Sequence, residues 1–295
     1  MSLLDLRVPH PATPADHYDA VAEESAALVI RRYSTSFGVA SRLLGASVRP
    51  HVRNVYALVR VDDELVDAPR PGQEPGERRL LLDALEQETL DGVRRGHSAN
   101  LVVHAFARTA GTVGITPDLV VPFFASMRTD LDRTQHDEES FAAYVYGSAE
   151  VVGLMCLRAF LHDGPDPEGA YRRLSPGARR LGAAFQKLNF LRDLAADHQD
   201  LGRRYFPDLD PERLTVEQRD RLLDDIDADL LAAAEAVRGL PPESRRAVTV
   251  AHALFSELSR RLRATPVEEI RRRRIRVPGP AKVGVLTRCL VRGVG

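Results

Sequence analysis

Apolar residues recur at helical spacing along most of the chain, and no run alternates apolar and polar strictly, as a half-buried strand would. Helix starts are signalled at Thr116-Pro117, at Ser175-Pro176 and at Thr215-Val216-Glu217, each a capping residue ahead of a proline or a helix former. Gly and Pro clusters at 69–76, 163–167, 207–211 and 239–242 mark breaks. The segments between predict helices of roughly 15–25 residues. They have no sheet to pack on, so the expected class is all-α. Such helices form a bundle around a central cavity, where bundles build their sites. No internal repeat or composition shift divides the 295 residues, of which 44% are apolar, so one domain is expected over 17–295. Ahead of it, residues 1–16 carry three prolines and read as a flexible arm.

Two Asp-x-x-x-Asp pairs are set within this helical pattern: Asp63-Glu64-Leu65-Val66-Asp67 and Asp193-Leu194-Ala195-Ala196-Asp197. A four-residue step on a helix puts both carboxylates on one face, with Cβ atoms about 6 Å apart. For one such pair alone, a solvated face is the commoner explanation by about four to one. Context favours a lined cavity. Gln186, Asn189, Asp193 and Asp197 follow at steps of three, four and four, and Leu188, Phe190 and Leu191 flank them. A solvated helix has no need of that stripe. Two pairs on facing helices would present oxygen donors to Mg²⁺, which usually shares its shell with phosphate. Arg60, one turn before Asp63, and Arg192, beside Asp193, are placed to bind phosphate in the bidentate manner of guanidinium groups.

Charge and cysteine content narrow the classes. A net charge of −1 argues against nucleic-acid binding. Cys156 and Cys289 lie far apart, without metal-ligand spacing, and read as free thiols in a reducing compartment. No signal peptide is evident, and the most apolar run, Val151 to Leu161, is short and interrupted by Arg158. The expectation is a cytoplasmic protein without a membrane span. A Gly-x-Gly-x-x-Gly fingerprint for a dinucleotide is missing, so NADPH is not expected.

Further blocks carry a resemblance. They are Ser34-Thr35-Ser36-Phe37; Tyr56, Arg60, Asp63 and Asp67; Asp130-Leu131-Asp132-Arg133; and Tyr144-Val145-Tyr146-Gly147-Ser148-Ala149-Glu150-Val151-Val152-Gly153. Then come Gln186-x-x-Asn189-x-x-Arg192-Asp193-x-x-x-Asp197, Gly202-Arg203-Arg204-Tyr205-Phe206-Pro207, and Arg274-Ile275-Arg276-Val277 with Lys282. From about Ser34 to Lys282 the chain resembles the squalene/phytoene synthases, the head-to-head trans-isoprenyl diphosphate synthases, and within them the bacterial phytoene synthases. The resemblance implies the isoprenoid synthase fold. It also implies Mg²⁺-dependent condensation of two geranylgeranyl diphosphates through prephytoene diphosphate to phytoene, with Mn²⁺ able to substitute. Asp63, Asp67, Asn189, Asp193 and Asp197 would hold metal, and Tyr56 and Arg60 would join the aspartates in catalysis. Ser34, Ser36, Phe37, Arg60, Tyr144, Gln186, Asn189, Arg192, Arg274 and Lys282 would bind substrate. The faces of Phe37, Tyr56 and Tyr144 are candidates for steadying a carbocation.

Alternatives stay open: a squalene or dehydrosqualene synthase acting on farnesyl diphosphate, a cyclase of one prenyl diphosphate, or a non-catalytic scaffold. Chain elongation is disfavoured, because its Asp-Asp-x-x-Asp motif would need aspartate at Val66, and Leu194 breaks the second doublet. The chain departs from its relatives, which usually carry Val-Ala-Gly-Thr-Val-Gly at 148–153, where Glu150 replaces a glycine. An extra residue lies between Asp197 and Gly202, and Phe255 stands near a usual tyrosine. Asp62, Glu64 and Arg271 to Arg273 read as flanking or surface residues, and Lys187 and Arg203 as surface residues or residues standing behind the site. The expected assembly is a monomer or weak homodimer. Arginines between 260 and 276 are expected to touch anionic lipid transiently, at about 1 kcal/mol per basic residue.

Overall fold

The computed structural model describes residues 13–34, 36–68 and 70–291, and the regular structure among them is helical, as expected. The N-terminal half holds α1 (Pro14–Tyr33), α2 (Ser36–Ser41), α3 (Val48–Asp67), α4 (Pro75–Arg95), α5 (Leu101–Val113) and α6 (Pro117–Asp132). α7 (Glu138–Val145) runs through a π turn (Tyr146–Glu150) into α8 (Val151–Leu161). The remainder is α9 (Pro167–Leu201), α10 (Val216–Arg238), α11 (Pro242–Ala264), the short α12 (Val267–Ile270) and α13 (Gly279–Val291).

Local chemistry explains most boundaries. Thr215 opens α10 with a capping box, its hydroxyl accepting from the Gln218 amide while Gln218 reaches back. Asp166 caps α9 ahead of Pro167, and Gly96 and Gly114 close α4 and α5 in the left-handed region. α1 begins at Pro14, inside the expected arm, because Thr13 accepts from the Asp16 amide and proline suits the first turn. The rest of that arm, residues 1–12, lies outside the described residues.

Two expectations need correction. Ser175-Pro176 starts no helix but lies inside α9, which runs unbroken for 35 residues. Proline deprives one carbonyl of its donor. Packing offsets that loss: Gly177 lies so close to α10 that a Cβ there would stand 2.3 Å from the Ala236 Cβ. The second concerns Val151 to Leu161. Because the π turn continues the helix, Glu138–Leu161 forms one 24-residue helix, long and apolar enough to cross a membrane by length and composition. In this fold Val151, Leu154, Met155 and Leu157 are instead buried against protein. Arg158 stacks on the Tyr171 ring at 3.6 Å and pairs with Glu168.

One core cluster joins α3, α5, α6 and α8 through Val55, Phe106, Phe123, Phe124 and Met155. Another joins α9, α10 and α11 through Leu188, Leu191, Leu223, Ile226 and Leu262. The cavity takes wall residues from both. Gly147, in the π turn, lets the wall helix touch α6. A Cβ there would lie 2.0 Å from Ser126 Oγ and 2.2 Å from the Pro122 carbonyl oxygen, which is backbone and gives little. Gly147→Ala is therefore expected to destabilise the protein by about 1–3 kcal/mol, the usual cost of overpacking. Urea unfolding measures it, and a change within error would show that α6 yields.

Candidate active site

Both aspartate pairs open onto one cavity of about 470 Å³. α3 contributes Val52, Val59, Arg60, Asp63 and Asp67; α9 contributes Gln186, Asn189, Arg192, Asp193 and Asp197 toward its C-terminal end. The predicted polar stripe faces inward. Toward its N-terminal end α9 lines the same cavity with Gly182, Ala178, Gly177 and Leu174. At about 1.5 Å per residue, Leu174 lies about 22 Å below Asn189. A third wall comes from the α7–π–α8 helix, where Tyr144, Ser148, Val152, Cys156 and Phe160 follow at steps of four. The cavity is thus charged at one end and apolar along its depth.

The charged end is crowded. Asp63 is pushed up to about 7, first by burial and then by the charge of Asp67. Its side chain keeps 34% of its surface accessible, so cavity water screens part of that repulsion. Asp197 is also pushed up to about 7 by burial and Asp193, with Asp67 adding to it and Arg203 opposing. That coupling places the two pairs across one cleft.

Guanidinium groups relieve part of the charge. Arg192 grips Asp193 with two prongs, at 3.0 and 2.5 Å, and Arg274 Nε reaches the same carboxylate at 2.8 Å. The Ile275 amide donates to the Arg192 carbonyl at 3.3 Å and docks this segment on α9. Arg60 pairs with Glu64, stands 3.9 Å from Asp63 and covers the Tyr33 ring at 4.6 Å. Arg203 Nη1 holds Asp67 at 2.6 Å and also donates to the Tyr205 hydroxyl, while Nη2 donates to the Asp130 carbonyl.

The donor set was tested for a divalent cation. Asp63, Asp67, Asn189, Asp193 and Asp197 offer side-chain oxygens, as Mg²⁺ requires, and the raised proton affinities of Asp63 and Asp197 show negative charge that a cation would relieve. Among the described residues no three acidic, His or Cys side chains converge on one point to hold an ion alone. The residues therefore fit an ion that completes its shell with ligand oxygens, not a closed protein cage.

The other predicted residues divide. Tyr144 lines the cavity, but its hydroxyl donates to Asp130 Oδ2 at 2.6 Å, so it braces the site through a hydrogen bond. Tyr56 is off the lining; burial raises its pKa, and it hydrogen-bonds Ser34, whose Oγ also accepts from the Gly38 amide. Lys282 stands in the first turn of α13 and is not among the lining residues. The side chains of Ser36 and Phe37 lie outside the described residues. Glu150 faces away from the cavity and pairs with Arg179 at 2.6 Å. Lys187 pairs outside with Asp225 and Asp229. Asp62 is fully buried, off the cavity, and its carboxylate oxygens have no hydrogen-bond partner among the described residues. Phe255 stacks on Phe185, a lining residue, at 3.8 Å. Both cysteines are free.

Arg203, read as a surface residue or one standing behind the site, takes the second place: it is 7% exposed, because Gly202 closes α9 at φ 67° and turns the chain back beneath Asp197. The Arg203 amide then donates to the Asp197 carbonyl at 3.0 Å. Asp130 and Tyr205 were missed. Asp130, pushed up to about 6 by burial, is opposed by Arg203 and bonded by both tyrosines. The signal was available: both belong to the quoted blocks Asp130–Arg133 and Gly202–Pro207.

Comparison with known proteins gives the family and the fold. The profile of the squalene/phytoene synthase family matches residues 30–280. A phytoene synthase of Mycobacterium tuberculosis is 29% identical over 286 residues, covering 90% of this chain and 89% of that protein. A bifunctional lycopene cyclase/phytoene synthase of Blakeslea trispora is 29% identical over 197 residues; the match covers 61% of this chain but only 31% of that longer protein. In structure, a dehydrosqualene synthase crystallised with ligand superposes with a TM-score of 0.76 at 20% identity, over 95% of this chain and 99% of the other.

Arg203→Met should leave Asp67 and Asp130 without their partner and destabilise the fold by about 3 kcal/mol at pH 8. Removing the cation raises the Asp130 pKa above its present value of about 6. At pH 5 Asp130 is then protonated and the loss should shrink. Urea melts at both pH values check this, and equal losses would contradict the pairing.

Proposed function

This chain belongs to the squalene/phytoene synthase family of prenyltransferases, and on that premise we propose that it condenses two geranylgeranyl diphosphates head to head, through prephytoene diphosphate, to phytoene. One observation carries the reading: both aspartate pairs stand at the charged end of a single cavity whose remaining depth is apolar. A diphosphate suits the first part and a prenyl chain the second. Magnesium, held by Asp63, Asp67, Asn189, Asp193 and Asp197, would supply Lewis-acid neutralisation of the leaving diphosphate. Arg60, Arg192 and Arg274 offer guanidinium donors to phosphate oxygens, and Gln186 and Asn189 add neutral polar groups. Tyr144, Tyr205 and Arg203 hold Asp130 and Asp67 in place. Deeper in the cavity, Val152, Phe160 and Leu174 shield the prenyl chain from bulk water, and the Phe185 ring offers a π-face to positive charge.

Relatives spanning most of the chain are named phytoene synthase, which supports the longer substrate. Solved neighbours named dehydrosqualene and squalene synthase support a second reading, condensation of farnesyl diphosphate. Incubation with Mg²⁺ and either substrate, with and without NADPH, separates them by product mass. The expected product is a forty-carbon hydrocarbon formed without NADPH. Asp63→Asn and Asp193→Asn are each expected to slow turnover by about a hundredfold or more, roughly 3 kcal/mol of barrier, with the melting curve retained. Full turnover in EDTA would sink the proposal.

The same reading puts the enzyme in the cytoplasm, delivering a hydrocarbon at the inner face of the membrane. The 260–276 arginines offer little free charge for that contact. Arg260 and Arg261 pair with Glu257, Arg263 with Asp224 and Asp227, Arg271 with Glu268, and Arg273 with Glu269. Flotation with anionic vesicles is therefore expected to show weak binding that fades as salt rises, and no binding at low salt would refute the contact.

A further inference from the structure

Ser148 is the polar exception in the wall below the charged end. It sits in the π turn, one helical step below Tyr144, and lines the cavity with Val152 beneath it. Its Oγ is buried and has no hydrogen-bond partner among the described residues. A helical serine usually bonds back to the carbonyl four residues earlier. Here that carbonyl, on Tyr144, already accepts from Ser126 Oγ at 3.2 Å, and the π turn moves the backbone pairing to Val151 N–H with the Tyr146 oxygen. An unpaired buried hydroxyl is costly, so a cavity ligand is its natural partner. A prenyl chain offers neither donor nor acceptor. A water molecule offers both, and the cavity has room for one.

The level of this hydroxyl matters. The neighbouring Ala149 carbonyl oxygen lies against Gly182, where a Cβ would stand 2.5 Å away, and Gly182 is one turn below Gln186 on α9. Gln186 lines the same cavity and supplies a second polar partner for such a water. The site lies at the join of the charged end and the apolar depth, where the carbon bearing the diphosphate must sit.

Resting on the reading proposed above, we infer that Ser148 holds one water against the ionising carbon and that the protein has a second activity, conversion of a prenyl diphosphate to its alcohol. The C–O bond to diphosphate breaks with both electrons leaving on the diphosphate. The water oxygen then bonds to the cationic carbon, and its proton passes to the released diphosphate. Prenyl diphosphate and water give prenyl alcohol and diphosphate, with no change of oxidation state.

The test is an incubation with Mg²⁺ and geranylgeranyl diphosphate in ¹⁸O-water, reading the label in alcohol and in phosphate beside the hydrocarbon. The alcohol is expected to carry the label. Its ratio to hydrocarbon should fall at least about fivefold in Ser148→Val, the worth of one hydrogen bond, and persist in Ser148→Thr, which has the same shape with a hydroxyl. Ser148→Ala gives the same comparison if the valine variant fails to fold. Hydrocarbon without labelled alcohol overturns this inference alone, as does label confined to phosphate or an unchanged ratio in both hydroxyl-free variants. Neither product from the wild-type protein overturns the parent reading and this one with it.

Discussion

Asp63, Asp67, Asp130, Asp193 and Asp197 gather at one end of one cavity, and there burial, with the neighbouring carboxylates adding to it, raises the proton affinities of Asp63, Asp130 and Asp197. The surrounding structure is arranged to tolerate that repulsion. Arg192 and Arg274 share Asp193 on one side, and Arg203 takes Asp67 and Asp130 on the other. These cations reach the site from α9, from the segment after α12, and from the loop after α9. The last two are held by apolar packing as well, through Tyr205 and Phe206 in one and Ile275 in the other. Gly202, which turns the chain under Asp197, is thus part of the same electrostatic arrangement as the aspartates.

The apolar depth depends on a different economy of shape. Helices that touch along Gly147, Gly177 and Gly182 come closer than side chains would permit. Close approach narrows the walls without closing the cavity, because Gly182, Ala178 and Gly177 stand among the larger Phe185, Leu181 and Leu174 that α9 turns inward. The π turn belongs to this geometry. It carries α7 into α8 without a break, so one helix runs from Tyr144 at the charged end to Phe160 at the far end. A helix that composition alone would assign to a membrane becomes a cavity wall.

Helical periodicity made the carboxylate geometry legible. The i,i+4 spacing of each aspartate pair and the three-four-four stripe from Gln186 are local properties, and the structure keeps both on inward faces. The all-helical class was readable for the same reason. What escaped reading depends on contacts distant in sequence. The burial of Arg203 is decided by Asp67 and Asp130, on two other helices. Tyr144 offered an aromatic face in sequence, but Asp130 on α6 claims its hydroxyl. Pro176 looked like a start because its cost is local, while the packing of α9 on α10 that overrides it is not.

Charge pairing within the site also bears on how the cavity receives a ligand. Asp193 is met by two guanidinium groups and Asp67 by one, so the cations a diphosphate would use are already at the right end of the cavity. They stay ordered because carboxylates hold them, and ordering long side chains in advance lowers the entropy lost on binding. The carboxylates still repel one another, a state that costs stability and persists because the cores on either side are well packed. Relief of repulsion and gain of phosphate contacts then favour the same event. A site built from mutually repelling acids, steadied by arginines, is most stable when occupied.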